Sequence, residues 1–379
     1  MPVDELICAA LRGERPLWRQ PDDAAATEAI LSFAEVHGVT PLLHEQLHGG
    51  TWPQDILQAL RDRAVQQAMW ELRHQQLLAQ TLAVLDDIGV RPVLIKGTAM
   101  AYSLYANPVM RTRADTDLII PREAKGRTHD ALVSLGYERN PGVSGDFVSY
   151  QSSYTRQTPD GGAHTLDLHW KINNSEVLSR LFTYDELFDD ARPLPQLCAH
   201  ALGASPVHAL LLACMHRSTH KQNPYYVNGE QHHDANRLIW LYDIHLLACE
   251  LNSPDWAEFI RLAEKKGLRA ICLEGMQQAQ GRFRTPYPEA VLAALTHPGR
   301  AEPAAKYLGG GRWRQQWMDF CALDSFSRQV QWAGESLLPS AGYMRGKYSD
   351  QPDAWLPWLY VRRAAQGVAK RLSRNSPGP

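Results

Sequence analysis

The sequence predicts an α+β protein in which a small mixed β-sheet core is flanked by N-terminal and C-terminal helical regions. Three observations carry that reading. From Pro53 to Ile88 the apolar residues Ile56, Leu60, Ala64, Ala68 and Leu72, then Leu77, Leu78, Leu82 and Leu85, recur at helical spacing up to Gly89. From Arg91 to Lys171 the pattern changes to short apolar or alternating runs, broken by turn residues and helical stretches, as a sheet unit requires. From about residue 205 helical periodicity returns. The expected divisions are residues 1–90, 91–175 and 176–379.

In the first region, Asp4 to Arg12 and Ala24 to Val36 read as short amphipathic helices, the second stopping at His37-Gly38. The core opens with the apolar strand Pro92-Val93-Leu94-Ile95. Lys96-Gly97-Thr98 follows as a tight turn, and Ala99 to Tyr105 as a helix ending near Asn107-Pro108. Asp115 to Ile120 is a second strand, and Arg122 to Leu135 a helix stopped by Gly136. Phe147 to Thr155 and Thr165 to Trp170 read as strands joined through Pro159-Asp160-Gly161-Gly162. Beyond them Val207 to Thr219, Asn236 to Glu250, Asp255 to Lys266 and Leu268 to Gln280 are helices. A polar, aromatic loop from Lys221 to Asp234 and a break at Gly309-Gly310-Gly311 interrupt them. Leu356 to Leu372 is an amphipathic helix with Arg362, Arg363, Lys370 and Arg371, followed by a disordered tail from Ser373 to Pro379.

With 379 residues, 44% of them hydrophobic and 21% charged, the chain can bury a substantial core. A net charge of −2 and a pI near 6.7 supply no global field for nucleic acid or an anionic membrane, so nucleic acid is not an expected partner. Cys8, Cys198, Cys214, Cys249, Cys272 and Cys321 form no CxxC pair, and most have apolar neighbours. Free buried thiols in a reducing compartment are expected. Met1-Pro2-Val3-Asp4-Glu5 lacks the basic start and apolar run of a signal peptide, and no stretch of about 18 apolar residues appears. The expected location is the cytoplasm.

The chemistry concentrates in the second region. Side chains two apart on a strand share a face and lie roughly 6–7 Å apart, so Asp115 and Asp117 project to one side, close enough to hold a divalent cation between them. In the run from His164 to Lys171, alternation puts Leu166, Leu168 and Trp170 on one face and Asp167, His169 and Lys171 on the other. Carboxylates and phosphate oxygens are the ligands Mg²⁺ prefers, and two metals about 4 Å apart form the usual clamp for in-line phosphoryl chemistry. The bland alternative is an exposed strand face dotted with carboxylates. Arginines at 111 and 113, and Lys171 beside Asp167, favour anion handling instead.

Taken together, Leu94-Ile95-Lys96-Gly97, Arg111, the Asp115-Thr116-Asp117-Leu118-Ile119-Ile120 strand and Asp167-Leu168-His169-Trp170-Lys171 resemble a bacterial family of uncharacterised nucleotidyltransferases. That family is similar to the DNA polymerase β-type nucleotidyltransferase superfamily. The run Arg237 to Ile244, preceded by Met215, His216 and His220, is similar to the family's helical half, so the resemblance spans most of residues 85 to 280. It implies a nucleotidyltransferase-like core at 91–175, with Mg²⁺ or Mn²⁺ as cofactor and an NTP as co-substrate. Asp115 and Asp117 would hold the metal ions, and Asp167 would complete the second metal site and act as general base. Gly97 and Thr98 would open backbone N–H groups to the β- and γ-phosphates, and Lys96, Arg111 and Lys171 would neutralise phosphate charge. The superfamily's Gly-Ser turn is here Gly97-Thr98, and the interval to Asp115 is longer than usual. The acceptor would be a small molecule, a peptide or a protein.

A second constellation comprises His208, His216, His220, His232, His233, Asp234 and Asp243. His216 and His220 share a helix face at a spacing that can hold zinc, but no Glu stands between them as the HExxH logic requires. His233-Asp234 resembles the metal-dependent HD phosphohydrolases, although Asp243 lies too near to be that superfamily's final Asp. A polar network between helices, with Arg237 and Asp243 as members that brace the domain or reach the nucleotide, is the simpler reading. An HD-like phosphohydrolase and a non-catalytic nucleotide-binding protein stay open as alternatives. The Trp355 to Leu372 segment has peripheral membrane contact as its special reading and a solvated basic face as its common one.

Overall fold

Alternating apolar residues in two short segments build the centre of the molecule. The computed structural model describes residues 2–18, 24–47, 52–141, 147–158, 161–296, 302–348, 351 and 354–373. Strands β1 (Val93–Ile95), β2 (Asp115–Ile119), β3 (Glu138–Arg139), β4 (Gln151–Gln157), β5 (Ala163–His169), β6 (Arg192–Pro193) and β7 (Leu202–Gly203) form one sheet in the order β3-β4-β5-β2-β1-β7-β6. The sheet is mixed: β2 runs parallel to β5 and β1 to β7, and the remaining pairs are antiparallel. An α+β core with helices before and after it is therefore what the chain forms.

Each face of this sheet meets its own core. Leu94, Leu118, Ile120, Leu166 and Leu168 pack against Leu78, Leu82 and Leu85 of the long helix Gln54–Asp87 and Leu132 of the helix Lys125–Ser134. Val93, Ile95 and Ile119 point the other way, into a larger core. That core gathers the N-terminal helices Val3–Leu11, Ala24–Val36 and Thr40–Gln46 with the later helices Pro206–Thr219, Leu238–Glu250, Ser253–Lys265 and Arg269–Phe283. The helices before and after the sheet thus share one interior. Burying each of these large aliphatic side chains contributes about 1.5–3 kcal/mol, which is why the strands need only a few residues each.

Local departures from the sequence reading have physical causes. The turn expected at Lys96-Gly97-Thr98 is shortened to a single residue. Lys96 takes a left-handed backbone (φ 57°), and the helix Lys96–Ser103 starts there. The segment expected as a loop from Lys221 to Asp234 contains a hairpin, β8 (Tyr225–Val227) and β9 (Glu230–His232). Its turn is Asn228-Gly229, with φ of 51° and 82°, the pair of left-handed residues that a two-residue hairpin requires. Residues 147–150 are irregular, and β4 starts at Gln151. Pro159 and Asp160 of the expected turn, the tail from 374 to 379, and the side chains of Lys370 and Arg371 lie outside the described residues. All six cysteines are free; Cys8, Cys214 and Cys272 are buried as expected, whereas Cys249 and Cys321 are exposed. Among the described residues no helix is long and apolar enough to cross a membrane. The C-terminal helix Leu356–Ser373 leaves Trp358 and Val361 exposed, beside exposed Trp355.

Candidate active site

Strand register assembles the site. Asp117 on β2 pairs with Ile95 of β1 on one side and with Asp167 of β5 on the other. Asp115, Asp117 and Ile119 share the upper face of β2, with Thr116 and Leu118 below. Because the helical half covers that upper face, the carboxylates stand at the floor of a cleft of about 600 Å³ between sheet and helices. Lys96, Gly97, Arg111, Asp115, Asp117 and Asp167 all line it.

Asp117 is buried and is the hub. Lys96 Nζ donates to its Oδ1 at 2.5 Å, and His169 Nε2 lies 2.8 Å from the same oxygen. Burial opposes ionisation of Asp117, but Lys96 and His169 outweigh it and hold the carboxyl below the usual range. Asp115 behaves oppositely. Its side chain is open to the cleft, where desolvation by the surrounding walls together with the Asp117 and Asp167 charges pushes it up to about 7. Asp167 is likewise raised, by burial and then by Asp117, while Gln151 Nε2 donates to its Oδ2 at 3.4 Å. Adjacent carboxylates with displaced proton affinities mark a site built for charge, since like charges this close resist joint ionisation.

Of the expected phosphate-binding residues, Lys171 stands outside the cleft, Thr98 turns its side chain away from it, and Arg111 lines it but is paired. Lys171 does not line the cleft: β5 ends at His169, alternation lapses beyond it, and Lys171 Nζ bonds Glu176 at 2.9 Å over the Tyr150 ring. Thr98 is buried beneath the sheet. Its hydroxyl meets Thr116 Oγ1 at 2.9 Å and accepts from Arg113 Nε at 3.0 Å, so the side chain faces away from the cleft, while its backbone stands in the first turn of the helix Lys96–Ser103. Arg111 does line the cleft but is held by Asp243, with Nε at 2.8 and 2.9 Å from the two carboxylate oxygens and Nη2 at 2.6 Å from Oδ2. Tyr105 donates to Asp243 Oδ1 at 2.7 Å. Burial raises Asp243 despite this partner; burial opposes the Arg111 charge, and Asp243 outweighs that opposition.

Sequence reasoning gave no specific role to His169 or Gln151, and of the wall opposite it singled out His216, His220 and Arg237 as a zinc-capable pair or members of a polar network. His169 was legible by alternation with Asp167, but Gln151 comes from a distant segment with no local signal. Across the cleft stand His216, His220, Tyr225, Arg237 and Trp240. His220 stacks on Trp240 at 4.4 Å, and His216 meets the same ring edge-on at 5.0 Å. Burial keeps His216 well below its usual range and brings His220 down to about 4, so both imidazoles are neutral at physiological pH. His208 sits elsewhere, bonded to Ser205 at 3.0 Å. His233 is exposed, and Asp234 accepts from the Asn236 amide at 2.7 Å.

Among the described residues the group arranged to hold a metal ion is Asp117, Asp167 and His169, whose ligand atoms lie within 4.8 Å of one another. Two carboxylates and an imidazole suit a divalent cation, and Asp117 Oδ2 takes no bond from a described residue, so the donor set fits the expected ion. His216 and His220 form no such group among the described residues.

A solved structure of an antigenic nucleotidyltransferase-like protein from Paracoccidioides brasiliensis is similar at 14% identity and a TM-score of 0.36, over 58% of this chain and 96% of that one. A likeness that weak carries no functional weight. No curated protein matches the chain. The family described as uncharacterised nucleotidyltransferase matches residues 23–284, a span that holds the carboxylate strands, the cleft and its aromatic wall, and to that family the chain belongs.

Proposed function

We propose that the protein transfers a nucleoside monophosphate from an NTP to a hydroxyl or phosphate acceptor, releasing pyrophosphate. The observation that carries this reading is the side-by-side placement of Asp117 and Asp167 on parallel strands, with Asp115 two residues away, at the floor of one cleft. Asp115, Asp117 and Asp167, with His169 beside them, would hold Mg²⁺ or Mn²⁺. When bound, the cation would neutralise the triphosphate and the charge developing at the α-phosphorus. Asp167, whose proton affinity is raised, takes the proton of the acceptor hydroxyl as the new O–P bond forms. The bond from the α-phosphorus to the bridging oxygen breaks, and pyrophosphate leaves with the electron pair. Lys96 holds Asp117 in place and adds positive charge at the cleft floor. The first turn of the helix Lys96–Ser103, with Gly97 facing the cleft, offers amide groups to phosphate oxygens. The acceptor is a small molecule, peptide or protein side chain, and the free thiols suit a cytoplasmic setting.

The test is a pyrophosphate-release and label-transfer assay with each of the four NTPs and Mg²⁺ or Mn²⁺, with cell extract as acceptor source. Label transfer that falls by at least about 100-fold in Asp117→Asn supports the reading. Nucleotide binding without turnover in the wild type would make the protein a sensor. Phosphate release insensitive to Asp117→Asn but lost in His233→Ala would move the chemistry to the helical half.

A further inference from the structure

The cations of the cleft are not equivalent. Lys96 is paired with Asp117 at 2.5 Å, Arg111 with Asp243 at 2.6 Å, and Arg113 with Glu71 at 2.6 Å. Arg237 also lines the cleft, and no carboxylate among the described residues is within ion-pairing distance of it. Its Nε is committed to the Val36 carbonyl at 2.8 Å, which fixes the plane of the guanidinium. The cation lies over the rings of Tyr225 at 4.8 Å and Trp240 at 5.7 Å. On its other side Gly38 packs so closely that a Cβ there would stand 3.1 Å from Nη2. Neither Nη atom has an acceptor among the described residues. Burial and then Arg111 lower Arg237 to about 10, so it stays charged at neutral pH.

A second group beside it is also unsatisfied. Tyr225 is 7% exposed and lines the same cleft, and its hydroxyl is buried with no partner. A half-buried guanidinium without a counterion and a buried hydroxyl without an acceptor both cost free energy, unless a ligand supplies the missing acceptors. Both lack hydrogen-bond acceptors, which a single oxyanion can supply.

We propose that Arg237 and the Tyr225 hydroxyl form a receptor for a phosphate-type oxyanion of a bound substrate, on the wall opposite the carboxylates. This deepens the transferase reading and rests on it for the identity of the ligand. The anion is either the polyphosphate of the nucleotide or a phosphate of the acceptor. Sequence reasoning assigned the phosphate charge to Lys96, Arg111 and Lys171, and each of these is paired with a carboxylate within the protein.

The experiment titrates the full chain calorimetrically with Mg²⁺ complexes of the four NTPs, with inorganic tripolyphosphate and with the free nucleosides. Wild type is compared with Arg237→Gln, Arg237→Lys and Tyr225→Phe, and label transfer is measured alongside. The expected result is a tenfold or greater loss of NTP and tripolyphosphate affinity in Arg237→Gln. Arg237→Lys should recover part of it, Tyr225→Phe should lose less, and nucleoside affinity should not move. Unchanged NTP affinity with a tenfold rise in acceptor KM would assign the oxyanion to the acceptor. If Arg237→Gln does not fold, Arg237→Lys and Tyr225→Phe carry the test. Wild-type NTP affinity and acceptor KM that persist in the folded variants overturn the receptor and leave the transferase intact. Arg237-dependent tripolyphosphate binding without any NTP binding overturns the transferase reading instead, and wild type binding neither overturns both.

Discussion

Removing the Asp243 carboxylate should destabilise the protein far more than an average substitution does. Asp243 is 1% exposed and Arg111 5%, so the pair is shielded from water. It also joins the sheet to the helical half, since Arg111 precedes β2 and Asp243 lies within the helix Leu238–Glu250. In Asp243→Ala the guanidinium keeps one bond, Nη1 to the Thr112 carbonyl at 2.6 Å, and the Tyr105 hydroxyl loses its acceptor. Breaking a buried pair from one side costs about 3–5 kcal/mol, and an orphaned hydroxyl about 1–3 kcal/mol. Because both losses belong to one network they do not add fully, and a total of about 4–5 kcal/mol is expected. That is a large fraction of the roughly 5–15 kcal/mol that holds a native protein together. Urea unfolding followed by tryptophan fluorescence measures it. The double variant Arg111→Met/Asp243→Leu should recover most of the loss, because neither buried charge is then left alone. A single variant within about 1 kcal/mol of wild type would refute the argument, since it would mean that water or another carboxylate reaches Arg111.

Lys171→Ala should leave NTP affinity and transfer rate within about threefold of wild type, because its ammonium is bound to Glu176 outside the cleft; a loss of 100-fold in the transfer assay would restore it to the site. Acid should destabilise the fold between pH 6.5 and about 4. Burial lowers His37 to about 4, so in that window the unfolded chain binds the proton that the folded chain refuses, and stability falls as pH drops, by about 1.4 kcal/mol per pH unit for that group. Urea midpoints across this range should fall less steeply in His37→Gln, which keeps an acceptor for the Leu238 amide; an unchanged slope would show that His37 is not a contributor. Gly38→Ala should weaken binding of any Arg237-dependent anion as well as stability, because the position has φ 69° and its Cβ would press on Nη2; equal affinity by calorimetry would show that the guanidinium is free to shift.

What the sequence disclosed follows from the range of the interactions involved. The carboxylate face was legible because a strand's two-residue period is local, and Asp115, Asp117 and Asp167 all obey it. The same rule failed at Lys171, since periodicity says nothing of where a strand ends. The contact of the Thr98 hydroxyl with Thr116 was not legible, because the chain enters its helix already at Lys96 and so turns that hydroxyl under the sheet. The hairpin at 225–232 had a readable signal: Asn228-Gly229 between Tyr-Tyr-Val and Glu-Gln-His is a two-residue turn sequence. The aromatic prominence of the segment hid it. Arg237 was named only as a member of a polar network, because its lack of a counterion is a property of what surrounds it in space. The shared interior of the first and last helices was hidden for a related reason: periodicity shows which face is apolar but not which partner covers it.

The backbone at Lys96 has an evolutionary consequence. A side chain in the left-handed region costs roughly 1–2 kcal/mol, which glycine would not pay and asparagine would feel less. What offsets that cost in this chain is the ammonium at Asp117, 2.5 Å from Oδ1. In descendants that have lost the acidic pair, selection on lysine lapses and drift toward glycine or asparagine becomes favourable. Position 96 should therefore record catalytic history: copies with both aspartates keep lysine there, and decayed copies relax to residues at ease with that turn.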